Sequence, residues 1–162
     1  MDQELLLHFD ESIQLESNVA DLYVMFQDTF PEDADFWKTL IIEERNHAAL
    51  LKSGKEHFAP VDTFPVDLLS NTLEELKNSN TKLIKLIRQY QEKPPSREAA
   101  FKMALQIEQS AGEIHFQQFM QKKADSHYVE LFQRINGYDK DHESRIRDYM
   151  EDHAITIGKS NS

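Results

Sequence analysis

The chain has 162 residues, of which 29% are charged, with four glycines, five prolines and no cysteine. This length is usual for one domain, and it is long enough to bury a core without cross-links. Few glycines and prolines among many charged residues favour long helices over a turn-rich β fold. The lack of cysteine excludes disulfides, zinc–thiolate sites and iron–sulfur clusters. It is compatible with the reducing cytoplasm, where we expect the protein to reside.

The formal net charge of the chain is −11. We therefore expect no nucleic-acid partner, because phosphate binding needs a basic face. We interpret this charge as that of an acidic, solvated surface; the alternative is attraction of cations, which charge alone cannot support. The first residues lack a basic segment followed by an apolar run, so no signal peptide is predicted. No stretch reaches the roughly 18 consecutive apolar residues of a membrane span, and we expect no membrane partner.

Apolar side chains recur at three- and four-residue steps from the start of the chain, which is the period of an α-helix. The first predicted helix covers residues 3–30 and ends at Pro31. Proline suits the first turn of a helix, and the acids that follow it favour the positive end of the helix dipole. A second helix is therefore predicted over residues 31–58, before Pro60.

Three more helical stretches are predicted in the rest of the chain. Residues 59–71 are expected to form a loop with one short turn, and residues 72–92 a connecting helix. After two prolines, Ser96 is a good N-cap for a helix over residues 97–124. The last helix is predicted over residues 126–150.

These elements predict an all-α protein, a four-helix bundle with an extra helix that connects the second and third long helices. One domain over residues 1–153 and a flexible tail over residues 154–162 account for the chain. Its two halves are alike, since each has a helix with one inward acid followed by a helix with an acid and a histidine. This likeness suggests an internal repeat related by a pseudo-two-fold axis.

Six polar side chains interrupt the apolar faces of the four long helices. Each shares a helix face with apolar neighbours and should point into the bundle. The six are Glu16, Glu44, His47, Glu108, Asp139 and His142. Carboxylates in a dry core are costly and repel one another, and the spacing puts no lysine or arginine on the same faces. Bound cations would resolve this conflict, and carboxylate and imidazole ligands without sulfur suit iron or manganese.

Single motifs leave other interpretations open. Glu44 and His47 could form a surface pair, and Glu43 also lies one turn from His47, so only the apolar face favours Glu44. Glu16 alone could be a buried hydrogen-bond acceptor. Tyr23 lies two turns after Glu16 on the same face, where it could hydrogen-bond a metal ligand or be an aromatic residue of the core.

The order of the motifs along the chain is more specific than any one of them. It runs acid, acid-x-x-His, acid, acid-x-x-His, which is the order in ferritin-like bundles that hold two metal ions. Four segments resemble the rubrerythrin-like branch of the ferritin-like superfamily. They are LESNVADLY at 15–23, FWKTLIIEERNH at 36–47, MALQIEQSAGEIH at 103–115 and INGYDKDH at 135–142. The resemblance covers nearly the whole chain.

This resemblance implies a ferritin-like fold that holds two iron ions, or manganese or a mixed pair, between its helices. The six polar residues would be the ligands: two bridging carboxylates (Glu44 and Asp139), two terminal carboxylates (Glu16 and Glu108) and one imidazole for each metal (His47 and His142). The resemblance also implies the reduction of peroxide or dioxygen and assembly into a homodimer.

The chain departs from this family in three respects. Asp139 is one methylene shorter than the usual glutamate, which puts a bridge to both metals in question. Ala111 lies one turn after Glu108, where rubrerythrins carry a further glutamate, and His115 one turn later could be a ligand, a proton donor or a core residue. Without cysteine no rubredoxin-like domain is expected, so electrons would come from an external donor.

Three functions are compatible with these residues. A di-iron redox protein would reduce peroxide or dioxygen in the bundle core, in defence against oxidative stress. An iron-storage protein with ferroxidase activity would need a hollow multi-subunit shell, and the exposed face of the helix at 72–92 suggests no clear interface for one. A metal-free interaction module would retain the bundle alone, and Asp139 and Ala111 leave this third function open.

Overall fold

The computed structural model is all-helical over the residues it describes, which are 2–69, 72–135 and 141–156, with only the backbone described within 111–115. These ranges contain seven α-helices: α1 (Gln3–Thr29), α2 (Ala34–Ser53), α3 (Leu73–Glu92), α4 (Arg97–Glu108), α5 (Ala111–Gln121), α6 (His127–Ile135) and α7 (His142–Asp152). None of the described helices has the length and apolar character that crossing a membrane requires. The prediction of an all-α bundle is confirmed.

Helices α1 and α2 form a hairpin, joined by a 3₁₀ turn at Pro31–Asp33, and pack along one another. Helix α4 packs against α7. Helix α3, the predicted connecting helix, packs on the outer side of α1 through a buried polar contact. In it, Asn18 Nδ2 donates to Asn80 Oδ1 at 3.0 Å, and Asn80 Nδ2 donates to the backbone oxygen of Glu11 at 2.9 Å.

The bundle contains two apolar clusters. The larger joins α1, α2, α3, α4 and α7, and in it the Trp37 ring lies 4.6 Å from that of Phe101 and 5.5 Å from that of Tyr23. The smaller joins the other ends of α1 and α2 to α5 and α6, around Phe9 and Phe132. Along α2, Leu40 and Ile41 belong to the first cluster and Leu50 and Leu51 to the second. The segment of α2 between these clusters is where its polar residues lie.

Two predicted helices are interrupted in the structure. The helix expected over 97–124 ends at Glu108 and restarts at Ala111, because Ser110 adopts an extended backbone (ψ 162°) and occupies the N-cap position of α5. The helix expected over 126–150 is not continuous either, because Asp141 is the N-cap of α7 and its side chain accepts a hydrogen bond from the Ser144 backbone N–H at 3.3 Å. The Asp141 side chain competes with helix continuation through this bond, whereas Ser110 forms no side-chain cap bond, and helical periodicity predicts neither break.

The residues that follow α7 are packed against the bundle beyond the predicted domain boundary at residue 153. Ile155 is buried in the larger cluster, and its backbone N–H donates to the Met150 oxygen at 2.8 Å. The predicted flexible tail therefore does not begin at residue 154. Residues 157–162 of that tail lie outside the described residues.

Candidate metal centre

Three carboxylates and two imidazoles lie inside the bundle where α1, α2, α4 and α7 meet. All five side chains are buried, and they are Glu16, Glu44, His47, Glu108 and His142. Glu44 has none of its surface exposed, although it is a carboxylate. The inward orientation predicted for these five residues is therefore observed.

The five side chains form two groups that share Glu44. Within each group, one ligand atom from each residue lies within 4.8 Å of the others. In the first group, His47 Nδ1 lies 3.6 Å from Glu16 Oε2 and 3.5 Å from Glu44 Oε2. In the second, His142 Nδ1 lies 3.0 Å from Glu44 Oε1 and 3.3 Å from Glu108 Oε2. The two oxygens of Glu44 thus face different imidazoles, as those of a carboxylate between two cations would.

The carboxylate oxygens at the centre of this cluster lack hydrogen-bond donors. Among the residues that the structure describes, none donates a well-formed hydrogen bond to Glu16 Oε2, to either oxygen of Glu44 or to Glu108 Oε2. Leaving a buried acceptor unsatisfied costs about 1–3 kcal/mol, and more when it is charged. Carboxylate oxygens that converge with imidazole nitrogens in this way could hold metal ions, and the donor set suits iron or manganese.

The ionisation of the carboxyls reflects burial and the two imidazoles. Burial, partly offset by His47, raises the pKa of Glu16 to about 7. Burial likewise raises the pKa of Glu108, against the effect of His142. Burial also acts on Glu44, but its contacts with His142 and His47 outweigh it and hold the pKa of Glu44 below its ordinary value. The metal-free cluster is therefore a proton-sharing group in which Glu16 and Glu108 resist ionisation and Glu44 does not.

His142 shows the opposite balance. Burial acts to lower the pKa of its imidazole, but the carboxylates of Glu44, Glu108 and Glu43 outweigh it, and the pKa lies well above the ordinary value. The protonated imidazole thus supplies positive charge to a cluster of acids. A bound metal ion would replace that proton, because metal ligation needs a neutral imidazole.

Tyr23 hydrogen-bonds one of the predicted ligands. Its ring is fully buried, and its hydroxyl donates to Glu108 Oε1 at 2.5 Å. The position of Tyr23 fits both roles considered for it, because its ring belongs to the larger apolar cluster and its hydroxyl bonds the predicted ligand Glu108. This bond occupies one oxygen of Glu108 and leaves Oε2 facing His142.

Glu43 has a place in the site that spacing along the chain did not identify. Its Oε2 lies 2.8 Å from His142 Nε2 and accepts a hydrogen bond from Arg145 Nη1 at 2.5 Å. Because Nδ1 faces Glu44 and Glu108, the two ring nitrogens of His142 contact carboxylates on opposite sides. Spacing offered Glu43 only as an alternative to Glu44, one turn from His47, because its actual partners His142 and Arg145 are on a distant helix.

Asp139, the sixth predicted ligand, lies outside the described residues. The argument that put Asp139 and His142 one turn apart on a single helix is wrong, because Asp141 between them is a non-helical N-cap and His142 is the first residue of α7. The side chains of Ala111 and His115 also lie outside the described part of the chain. A second carboxylate bridge from Asp139 therefore stays a prediction.

Comparison with known proteins adds no further assignment. No protein-family model, no curated protein and no solved structure matches this chain. The functional argument consequently depends on the geometry of the buried cluster.

Proposed function

We propose that this chain is a di-iron carboxylate protein of the ferritin-like superfamily that reduces peroxide or dioxygen with electrons from an external donor. The observation that carries the proposal is the pair of buried ligand groups that share Glu44. Two metal ions held by Glu16, Glu44 and His47 and by Glu44, Glu108 and His142 would contact the carboxylate oxygens of these groups that lack a donor among the described residues.

The order of these residues along the chain supports the ferritin-like assignment. One acid comes from the first helix, an acid and a histidine three residues apart from the second, and one acid from the helix after the connecting helix. A histidine from the last described helix completes the set. Five of the six ligands thus follow the chain order of ferritin-like two-metal bundles, and we propose Asp139 as the sixth. Iron is preferred on the resemblance of the sequence to rubrerythrin-like proteins.

The residues around the ligands would prepare the site for redox chemistry. When bound, a pair of iron ions can deliver the two electrons that cleavage of an O–O bond requires. The chain excludes bulk water, because all five ligands are buried. Tyr23 orients Glu108, and Glu43 holds His142 from the side away from the metals. Such supporting contacts fix the orientation of a metal-bound imidazole and make it more basic.

Iron counting and peroxide consumption test this proposal. We expect two irons per chain after anaerobic reconstitution with Fe(II), and steady consumption of hydrogen peroxide when a reductant is supplied. Glu44→Gln should lose both irons and the turnover, because Glu44 belongs to both groups. Glu92→Gln is the matched control, since Glu92 is an exposed glutamate at the end of α3 and should behave as wild type.

Each other outcome selects a different function. Two irons without turnover would contradict the redox role. A particle the size of a multi-subunit cage in light scattering would favour iron storage, whereas we propose a homodimer. One iron per chain would mean that the site lacks a second bridge, which points to Asp139. No iron after reconstitution would leave a metal-free interaction module.

A further inference from the structure

A small cavity adjoins the first ligand group, on the side of Glu16 away from Tyr23. Its volume is about 10 Å³, measured as the space that the centre of a water molecule can occupy. This is about the smallest space that holds one water molecule. Residues of α1, α2, α3, α5 and the turn at Val66–Leu68 surround it.

Two polar side chains line this cavity, and both have an oxygen without a partner. Ser12 Oγ and Glu16 Oε2 are buried, and no described residue forms a hydrogen bond with either of them. Ser12 is only 4% exposed. A serine inside a helix usually bonds the backbone oxygen four residues earlier, as Ser17 Oγ does with the Ile13 oxygen at 2.8 Å. The Ser12 hydroxyl does not form that bond, so it can donate a hydrogen bond to a molecule in the cavity.

The remaining walls are apolar. They come from Leu15, Leu51, Leu68, Leu76 and Phe116. Such walls offer no hydrogen bond, so the polar contacts of any occupant would come from Ser12 and Glu16. A buried water normally makes about three hydrogen bonds, so protein alone leaves a water here short of one partner. A metal ion held by Glu16, Glu44 and His47 would supply the missing contact.

We propose that this cavity is the small-ligand pocket of the centre, where Ser12 donates a hydrogen bond to an oxygen ligand held at the Glu16–Glu44–His47 position. The ligand class is water, hydroxide or the free end of a peroxide. The inference rests on the proposed metal centre. It adds to that centre a position for a small ligand, and it identifies Ser12 as the residue that hydrogen-bonds this ligand. The cavity volume limits the pocket to a group of about one heavy atom.

Nitric oxide, a diatomic probe of ferrous sites, tests this inference. Iron-loaded wild type should bind it, with a change in the absorption and electron paramagnetic resonance spectra. Ser12→Ala removes the hydroxyl and should weaken binding about tenfold, the effect expected for one lost hydrogen bond. Ser12→Val fills the cavity and should abolish binding. Ser17→Ala is the matched control, because its hydroxyl bonds the backbone, and it should bind as wild type does.

Iron content and folding separate this inference from the proposed function. All four proteins should hold two irons per chain. Metal-free Ser12→Ala should melt at or above the wild-type temperature, because it removes a buried hydroxyl without a partner. If the wild type holds two irons but nitric oxide binds equally to Ser12→Ala, the pocket is wrong and the metal centre stands. If the wild type holds no iron, both are wrong.

Discussion

Glu16 of α1 and Glu44 of α2 are both buried, yet the pKa values of their carboxyls are shifted in opposite directions. Burial acts on both. Glu44 contacts the imidazoles of His142 and His47, and their combined effect exceeds that of burial, whereas Glu16 contacts only His47. Because Glu44 belongs to both ligand groups, it is the residue that two bound metal ions would share. The electrostatics of single residues thus identify Glu44 as the centre of the site.

The stability of the metal-free protein should fall as pH rises through about 7. A raised native pKa means that Glu16 contributes stability below its ordinary value of 4.5 and loses it as pH passes about 7. The raised pKa of His142 acts in the same direction, and Glu44 loses stability only on acidification. Urea unfolding at about pH 5.5 and pH 8 should differ by on the order of 2–3 kcal/mol.

Glu16→Gln should reduce that difference without abolishing it, since glutamine does not ionise, whereas Glu108 and His142 still titrate. The substitution also serves as the control for unrelated titrations elsewhere in the molecule. An undiminished pH dependence in Glu16→Gln would contradict the assignment of the effect to this carboxyl.

Tyr23→Phe should weaken metal binding without disturbing the fold. The phenyl ring keeps the aromatic contacts with Phe26 and Trp37, and only the donor to Glu108 Oε1 is lost. Supporting contacts of this kind are worth about 10–100-fold in metal affinity, which competition with a chelator measures. Tyr90→Phe, at a partly exposed tyrosine that also packs on Phe26, should change affinity little. Equal affinities for the two variants would contradict the role of Tyr23.

At the scale of elements, Asp33 connects three parts of the bundle. It is buried in the turn between α1 and α2, and it accepts two hydrogen bonds from Arg97 of α4, at 2.7 Å and 2.5 Å. Tyr149 of α7 donates to the same carboxylate at 2.9 Å, and its ring stacks on Phe36 at 4.1 Å. These contacts position the α1–α2 hairpin against α4 and α7, and so bring Glu16 and Glu44 to Glu108 and His142.

Arg97→Ala should destabilise the protein by about 2–3 kcal/mol. Among the described residues it leaves Tyr149 as the one side-chain donor to the buried Asp33 carboxylate. Breaking a buried ion pair costs about 3–5 kcal/mol when both partners are enclosed. Because the Arg97 side chain is partly exposed, we expect the loss of stability to be smaller than for a fully enclosed pair. Arg147→Ala breaks an exposed pair with Glu143 one turn away and should cost about 0.5 kcal/mol or less in the same urea titration. Equal losses would contradict the structural role of Asp33.

For the whole molecule, metal ions would add a further link between two halves of the bundle that already meet through the larger apolar cluster and through ion pairs such as Asp33–Arg97. One group needs only α1 and α2, whereas the second combines Glu44 of α2 with Glu108 of α4 and His142 of α7. Binding at the second group therefore stabilises the packing of the first hairpin on the rest. Ligands that bind only the folded state raise its stability by mass action.

Saturating Fe(II) should raise the melting temperature of the wild type by about 5–10 °C. A free concentration one hundred times the Kd of a single site adds about 2.7 kcal/mol, which corresponds to such a shift for a domain of this size. Glu44→Gln should show no shift, and Glu92→Gln the full one, in anaerobic melts with and without a chelator. A metal-free Glu44→Gln that melts above a wild type insensitive to iron would indicate a metal-free module.

Periodicity along the sequence was enough to predict most of the helical segments and the inward direction of their acids. Helical periodicity is a local property, and it sufficed to predict that Glu16, Glu44 and Glu108 would be buried. The type and position of Ser96 likewise predicted a helix N-cap. In the structure the Ser96 hydroxyl accepts a hydrogen bond from the Ala99 backbone N–H at 3.2 Å. Periodicity did not separate α4 from α5, because Gln109 and Ser110 do not interrupt the apolar pattern.

The division of these acids between two imidazoles depends on how the helices pack against one another. The sharing of Glu44, the contact of Glu43 with His142 and the bond from Tyr23 to Glu108 all join helices that are distant along the chain. Spacing within one helix shows which residues share a face, but it contains no information on which faces meet. Those pairings follow from the packing of whole helices, which anchors such as Asp33 and Arg97 hold in place.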